Sequence, residues 1–146
     1  MHYLSYLDQA YPPGIMAVYS SELTRKGIWE AMNQRRTYAT TGARMLVDFR
    51  LNGHPMGSNV PINDNRSKIQ LTGEFHGTGS LDKITIIKYD GEQYSQLYEY
   101  SPYENILDYN FSVEDTSATT GGFYYLRIRQ KDGTTAWTSP IWLESE

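Results

Sequence analysis

The side chains able to do acid–base, metal or nucleophilic chemistry are few and scattered. Histidine occurs three times, as His2, His54 and His76, with no two close enough in sequence to form a ligand pair. A metal centre needs several imidazoles or carboxylates converging on one point. Asn63-Asp64-Asn65 offers oxygen donors of the kind calcium takes, but lacks the glycine and distal glutamate of an EF-hand loop, and reads as a polar turn. Serine, histidine and aspartate are all present without a G-x-S-x-G elbow. Gly77 and Gly79 precede no helix, so they make no phosphate-binding loop. Cysteine is absent, which excludes disulfides, thiol catalysis and cysteine-ligated metals. The residues thus offer no catalytic group, no metal site and no cofactor site.

Two groups of residues have a binding character. Arg35 and Arg36 with Thr40 and Thr41 could reach an anion through bidentate guanidinium hydrogen bonds. The alternative is that the arginines cap a helix and bridge two domains. The second group is tyrosine, of which there are 13. Tyr94, Tyr98, Tyr100 and Tyr103 would stack on sugar rings if they shared one exposed face. Against that, tyrosine is favoured in strands and pairs across them. Tyr124 or Tyr125 also suits the tyrosine corner of an immunoglobulin-like sandwich. Asn65-Arg66-Ser67 and Asn110-Phe111-Ser112 fit the glycosylation acceptor pattern, the second inside a strand with a buried Phe.

The elements that must hold these residues follow from periodicity. Ile15 to Tyr19 is a short apolar run, the pattern of a strand buried on both faces of a parallel sheet. Ser21 or Thr24 can cap a helix over Arg25 to Arg36, where Ile28, Ala31 and Met32 form one apolar stripe, and Gly42 ends the unit. From Met45 the period changes to two. Strands are expected at Met45–Leu51, Ile69–Phe75, Lys83–Tyr89, Tyr94–Tyr100, Leu107–Val113, Phe123–Gln130 and Thr135–Leu143. Asn52-Gly53, Asp90-Gly91 and Asp132-Gly133 are hairpin turns. Pro140 puts the last strand at an edge or on a bulge. The expected fold is mainly β: an immunoglobulin-like sandwich of about seven antiparallel strands after a short strand-helix unit. Its core should hold Val47, Phe49, Ile69, Leu71, Ile84, Ile86, Leu107, Phe111, Leu126, Ile128 and Trp137.

The 146 residues suit one domain, or one domain with an appendage. Hydrophobic residues are 39% and aromatics 14%, a globular composition. The net charge of −4, with no basic run, argues against nucleic acid. No apolar run approaches the roughly 18 residues of a membrane span, and the start is not a signal peptide.

Two stretches are more specific than any periodicity. Leu23 to Arg44, LTRKGIWEAMNQRRTYATTGAR, resembles the segment that ends the catalytic domain in one group of PHP-type hydrolases, the polymerase and histidinol phosphatase superfamily. Tyr124 to Leu143, YYLRIRQKDGTTAWTSPIWL, resembles the final hairpin of the β-sandwich that follows that domain. Between them, Asp48 to Gly53 and Met56-Gly57-Ser58 are similar to the sandwich's first strand and turn. The catalytic domain of that family is a distorted β/α barrel binding divalent metals through His-x-His and Asp-x-His motifs, and neither motif is present here.

The resemblance implies the end of a longer hydrolase, with Met1 not a natural start. Residues 1–43 would be the last strand and helix of the barrel, and residues 44–146 the accessory sandwich. It further implies a chain without catalysis of its own, whose partner is the upstream catalytic domain. Separated from the barrel, the helix Arg25–Arg36 with Trp29 and the run from Ile15 to Val18 should pack on the sandwich or mediate homo-oligomerisation. The rival readings are a free carbohydrate-binding module and a protein-interaction domain.

Overall fold

A computed structural model describes residues 13–63 and 67–146. These residues are mainly β, and among them are one helix and two sheets facing each other across a single core. The fold is a β-sandwich.

The larger sheet begins with β1 (Ile15–Val18) and, after the helix α1 (Arg25–Asn33), β2 (Thr37–Thr40). The smaller sheet takes β3 (Leu46–Leu51) and β4 (His54–Pro55). The chain then returns to the larger sheet for β5 (Asn59–Ile62), and to the smaller for β6 (Ser67–His76). β7 (Leu81–Tyr89) and β8 (Tyr94–Tyr100) form a hairpin of the larger sheet. β9 (Asp108–Ala118) completes the smaller sheet beside β6. β10 (Phe123–Gln130), β11 (Thr135–Thr138) and β12 (Ile141–Ser145) close the larger one. There β10 is central, with β7 along one edge and β11 and β12 in succession along the other. β2 continues from β11, β1 from β2, and β5 lies parallel to β12.

Strict alternation produces the core. In β3, Val47, Phe49 and Leu51 are buried; in β6, Ile69, Leu71 and Phe75; in β10, Tyr124, Leu126 and Ile128. Each contributes about 1.5–3 kcal/mol of burial. Gly73 stands where the alternation demands an inward side chain. Phe111 fills that space, its ring occupying the place a Cβ would take.

Several expectations need correction. β1 is not a doubly buried parallel strand: it is the antiparallel edge of the larger sheet, with Met16 half exposed. β2, β4 and β5 are additional strands, and β5 departs from antiparallel pairing. They escape detection because each is four residues or fewer, too short for a period to show. Leu107 is not core but half exposed, because it lies in the loop before β9, where Ile106 turns inward instead. Trp137 is 40% exposed, because in β11 the inward positions belong to Ala136 and Thr138.

Pro140 breaks the last strand in two. Ser139 N–H donates to Thr37 O at 3.0 Å, and Gly57 N–H to Pro140 O at 3.0 Å, so the break is stitched to its neighbours. The Asn52-Gly53 turn has both residues at positive φ (49° and 82°), as a tight hairpin requires. The chain crosses from the larger sheet to the smaller between β2 and β3.

Candidate functional site

Helix α1 starts at Thr24, whose hydroxyl accepts the Gly27 N–H at 3.0 Å. It stops at Asn33 rather than Arg36. The stop is a Schellman turn: Arg36 N–H returns to Ala31 O and Arg35 N–H to Met32 O. Arg35 holds the left-handed position, φ 55°, that glycine usually takes. Its side chain explains why it can. The guanidinium donates to Gly57 O at 3.1 Å and Asn59 Oδ1 at 2.8 Å, and lies 4.6 Å over the Trp142 ring. Arg35 is therefore a clamp between the helix end and the β5–β12 side of the sandwich.

The other three residues of that group are used differently. Arg36 is exposed, beside a groove lined also by Tyr19, Asp48 and Arg50. Thr40 is buried and donates to Ala43 O at 2.7 Å. Thr41 accepts the Thr135 N–H at 3.0 Å. The two hydroxyls thus serve the β2 turn and the pairing with β11. Arg35, Arg36, Thr40 and Thr41 are not gathered around one cleft.

The tyrosines divide as well. The register slips between Ile86 and Ile87 opposite β8, and this reverses the facing of β8 part-way along. Tyr98 and Tyr100 then close the rim of the core against β9. Tyr100 stacks on Tyr109 with centroids 4.2 Å apart, and Tyr98 OH bonds Tyr109 OH at 2.9 Å. Burial, then the bond to Tyr98, raises the Tyr109 phenol to about 12. Tyr94 faces the other way and contacts Tyr89 and Phe123. Tyr103 is fully exposed beyond the strand. The four do not form one platform.

What the structure does leave open is one face of α1. Ala31 is buried and Ile28 half-buried beneath the helix. Leu23, Trp29 and Met32 are 96%, 63% and 41% exposed, and together with Ile28 they line one shallow apolar depression. Leu23 was invisible to the helical pattern because it precedes the cap. Leu23 just before the cap, with Trp29 and Met32 on the nine-residue helix, makes a patch of the kind that associates.

The charged residues elsewhere are mostly paired. Lys88 and Asp115 form a buried bridge between the sheets, at 2.7 Å. Tyr124 OH also donates to Asp115, at 2.8 Å, so this tyrosine ties to a carboxylate rather than to backbone. His54 is exposed on β4. His76 lies at the end of β6, with Asp108 at 2.7 Å on Nδ1 and Glu74 at 2.8 Å on Nε2. Among the described residues, no three His, Asp or Glu side chains are arranged to hold a metal ion. No helix among them is long and apolar enough to cross a membrane. Asp64 and Asn65, with the acceptor sequence at Asn65, lie outside the described residues.

Comparison with known proteins adds context to the α1 face. Residues 3–52, which contain β1, α1, β2 and β3, match a family described as "Protein of unknown function (DUF3604)". The chain is 35% identical to an uncharacterized protein of Chlamydia pneumoniae over 161 residues, covering 97% of this chain and 25% of that protein. It is 30% identical to an uncharacterized protein of Chlamydia trachomatis over 156 residues, covering 98% of this chain and 24% of that protein. No solved structure matches. The chain thus spans about a quarter of the length of the curated relatives it matches.

Proposed function

We propose that this chain is a non-catalytic accessory β-sandwich of a longer PHP-type metal-dependent hydrolase, and that it docks on the catalytic part through the open face of α1. The observation that carries the reading is the exposed cluster of Leu23, before the cap, with Trp29 and Met32 on a helix otherwise fixed to the sandwich. About three quarters of the relatives' length lies outside the match, which supports a further part for that face to dock on. The sequence around α1 supplies the family resemblance. The sandwich would then stabilise the catalytic part and shape its approach, with Arg35 holding α1 at a fixed angle. The chain by itself would have no hydrolase activity.

The test uses the Chlamydia pneumoniae relative, made whole and in two pieces divided where the matched quarter begins. The pieces should reassociate, and chelator-sensitive phosphatase or phosphodiesterase turnover should reside in the larger piece. Turnover by this 146-residue chain that a chelator abolishes would refute the reading. So would failure of the two pieces to bind each other.

A further inference from the structure

The outward face of the larger sheet carries a cavity of about 250 Å³ that the docking face does not use. Its walls are two cross-strand rows. Thr85, Arg127 and Trp137 stand side by side on β7, β10 and β11; Lys83, Arg129 and Thr135 form the next row along the same strands. All six point away from the core because Ile84, Ile86, Leu126, Ile128, Ala136 and Thr138 take the inward positions.

Three features separate this cavity from ordinary surface. The first is charge. Lys83 is paired with Glu99 at 3.0 Å and Arg129 with Asp82 at 2.6 Å. Arg127 lies between them with no ion-pair or hydrogen-bond partner for its guanidinium among the described residues. Three cations against two carboxylates leave one positive charge in a chain whose net charge is −4. The second is the Thr85 hydroxyl. Thr85 is 1% exposed and lines the cavity, and its Oγ1 is the buried side-chain polar atom found without a hydrogen-bond partner among the described residues. Such a group is costly unless something fills its valence. The third is Trp137, whose indole is a broad apolar surface kept at the rim by the alternation of β11.

We infer that this cavity binds a monosaccharide-sized acidic sugar, a pyranose bearing a carboxylate or a phosphate. The free guanidinium of Arg127 takes the anionic group in a charge-assisted fork. Thr85 Oγ1 bonds the same group or the adjacent ring hydroxyl. Trp137 stacks on the apolar ring face. The size supports a single ring, since the cavity is smaller than the roughly 300–1,000 Å³ of sites for larger ligands. The single unbalanced charge supports an acidic sugar over a neutral one. The tryptophan supports a ring over a bare oxyanion.

The experiment is a titration of the 146-residue chain with glucuronate, glucose 6-phosphate, glucose and inorganic phosphate. It is followed by NMR at the Trp137 indole N–H and the Arg127 Nε–H. At least one acidic sugar should saturate these signals, and glucose and inorganic phosphate should bind at least tenfold more weakly. Which acidic sugar binds identifies the carboxylate or the phosphate source. Arg127→Gln should weaken binding at least tenfold, and Thr85→Val should weaken it severalfold while removing only the hydroxyl. The proposal fails if neither acidic sugar moves the signals. It fails equally if inorganic phosphate or glucose binds as tightly, or if the folded Thr85→Val and Arg127→Gln proteins bind like the parent.

Discussion

Lys88 on β7 donates to Asp115 on β9 across 2.7 Å, and that bond joins the two sheets inside the sandwich. The side chains are 8% and 3% exposed, so both charges have left water. Every donor of the ammonium is used, the other two on Ser117 O and Ser117 Oγ at 2.8 Å. The carboxylate takes four bonds: Lys88 and Tyr124 OH on Oδ2, Ser117 N–H and Oγ–H on Oδ1. A buried pair satisfied this completely fixes how one sheet sits on the other. Removing one member strands the other.

Lys88→Met or Asp115→Leu should each cost about 3–5 kcal/mol, the penalty for an uncompensated buried charge. The double substitution should recover much of that loss. Tyr124→Phe deletes one bond to a charged group and should cost about 1.5–3 kcal/mol. Urea unfolding of the four proteins checks the set, and additive single losses in the double variant would contradict the pairing.

The same carboxylate sets an acid limit. Burial pushes the Asp115 pKa up, but the bonds from Lys88, Ser117 and Tyr124 outweigh it and hold it below the usual carboxylate value. A folded pKa below the unfolded one gives stability that is complete above the unfolded value, about 3.9. That stability is lost as pH falls through the folded value. The urea midpoint should therefore fall below pH 4, and the Asp115→Leu, Lys88→Met double variant should lose less over that range.

His76 should titrate above its ordinary value of about 6.5. The hydrogen bonds to Asp108 and then to Glu74 favour the imidazolium. A raised folded pKa gives stability present below the unfolded value and lost as pH rises through the folded one. An NMR titration should place His76 above that ordinary value. Asp108→Asn should bring it down, and an unchanged midpoint would show that the carboxylate is not what raises it.

Thr85→Val should stabilise the fold by roughly 1 kcal/mol, since it removes a buried hydroxyl without a partner at almost no change in shape. A loss of stability would mean that the hydroxyl is satisfied in solution.

Gly73→Ala should destabilise by about 1–3 kcal/mol, the usual cost of overpacking, because the new methyl would meet the Phe111 ring. Pairing it with Phe111→Leu should restore part of the loss, as measured by thermal unfolding.

The order of residue types along the chain was enough to require a sandwich. Period-two alternation in Val47, Phe49, Leu51 and in Leu126, Ile128 leaves one way to bury those side chains, and Asn52-Gly53 turns the chain where a strand must reverse. It also marked α1 by its stripe and its Thr24 cap. Alternation says which residues share a face, not which face meets the core when a strand is four residues long. That is why Trp137 was expected inside and stands at the rim. A single residue of register slip opposite Ile86 and Ile87 sent Tyr94 to the opposite face from Tyr98 and Tyr100, and no local signal announces such a slip. The Lys88–Asp115 bridge joins residues 27 apart, and the row of Thr85, Arg127 and Trp137 comes from three strands. Only tertiary pairing could decide them, because charge and hydroxyl have no periodicity that reveals a partner distant in the chain.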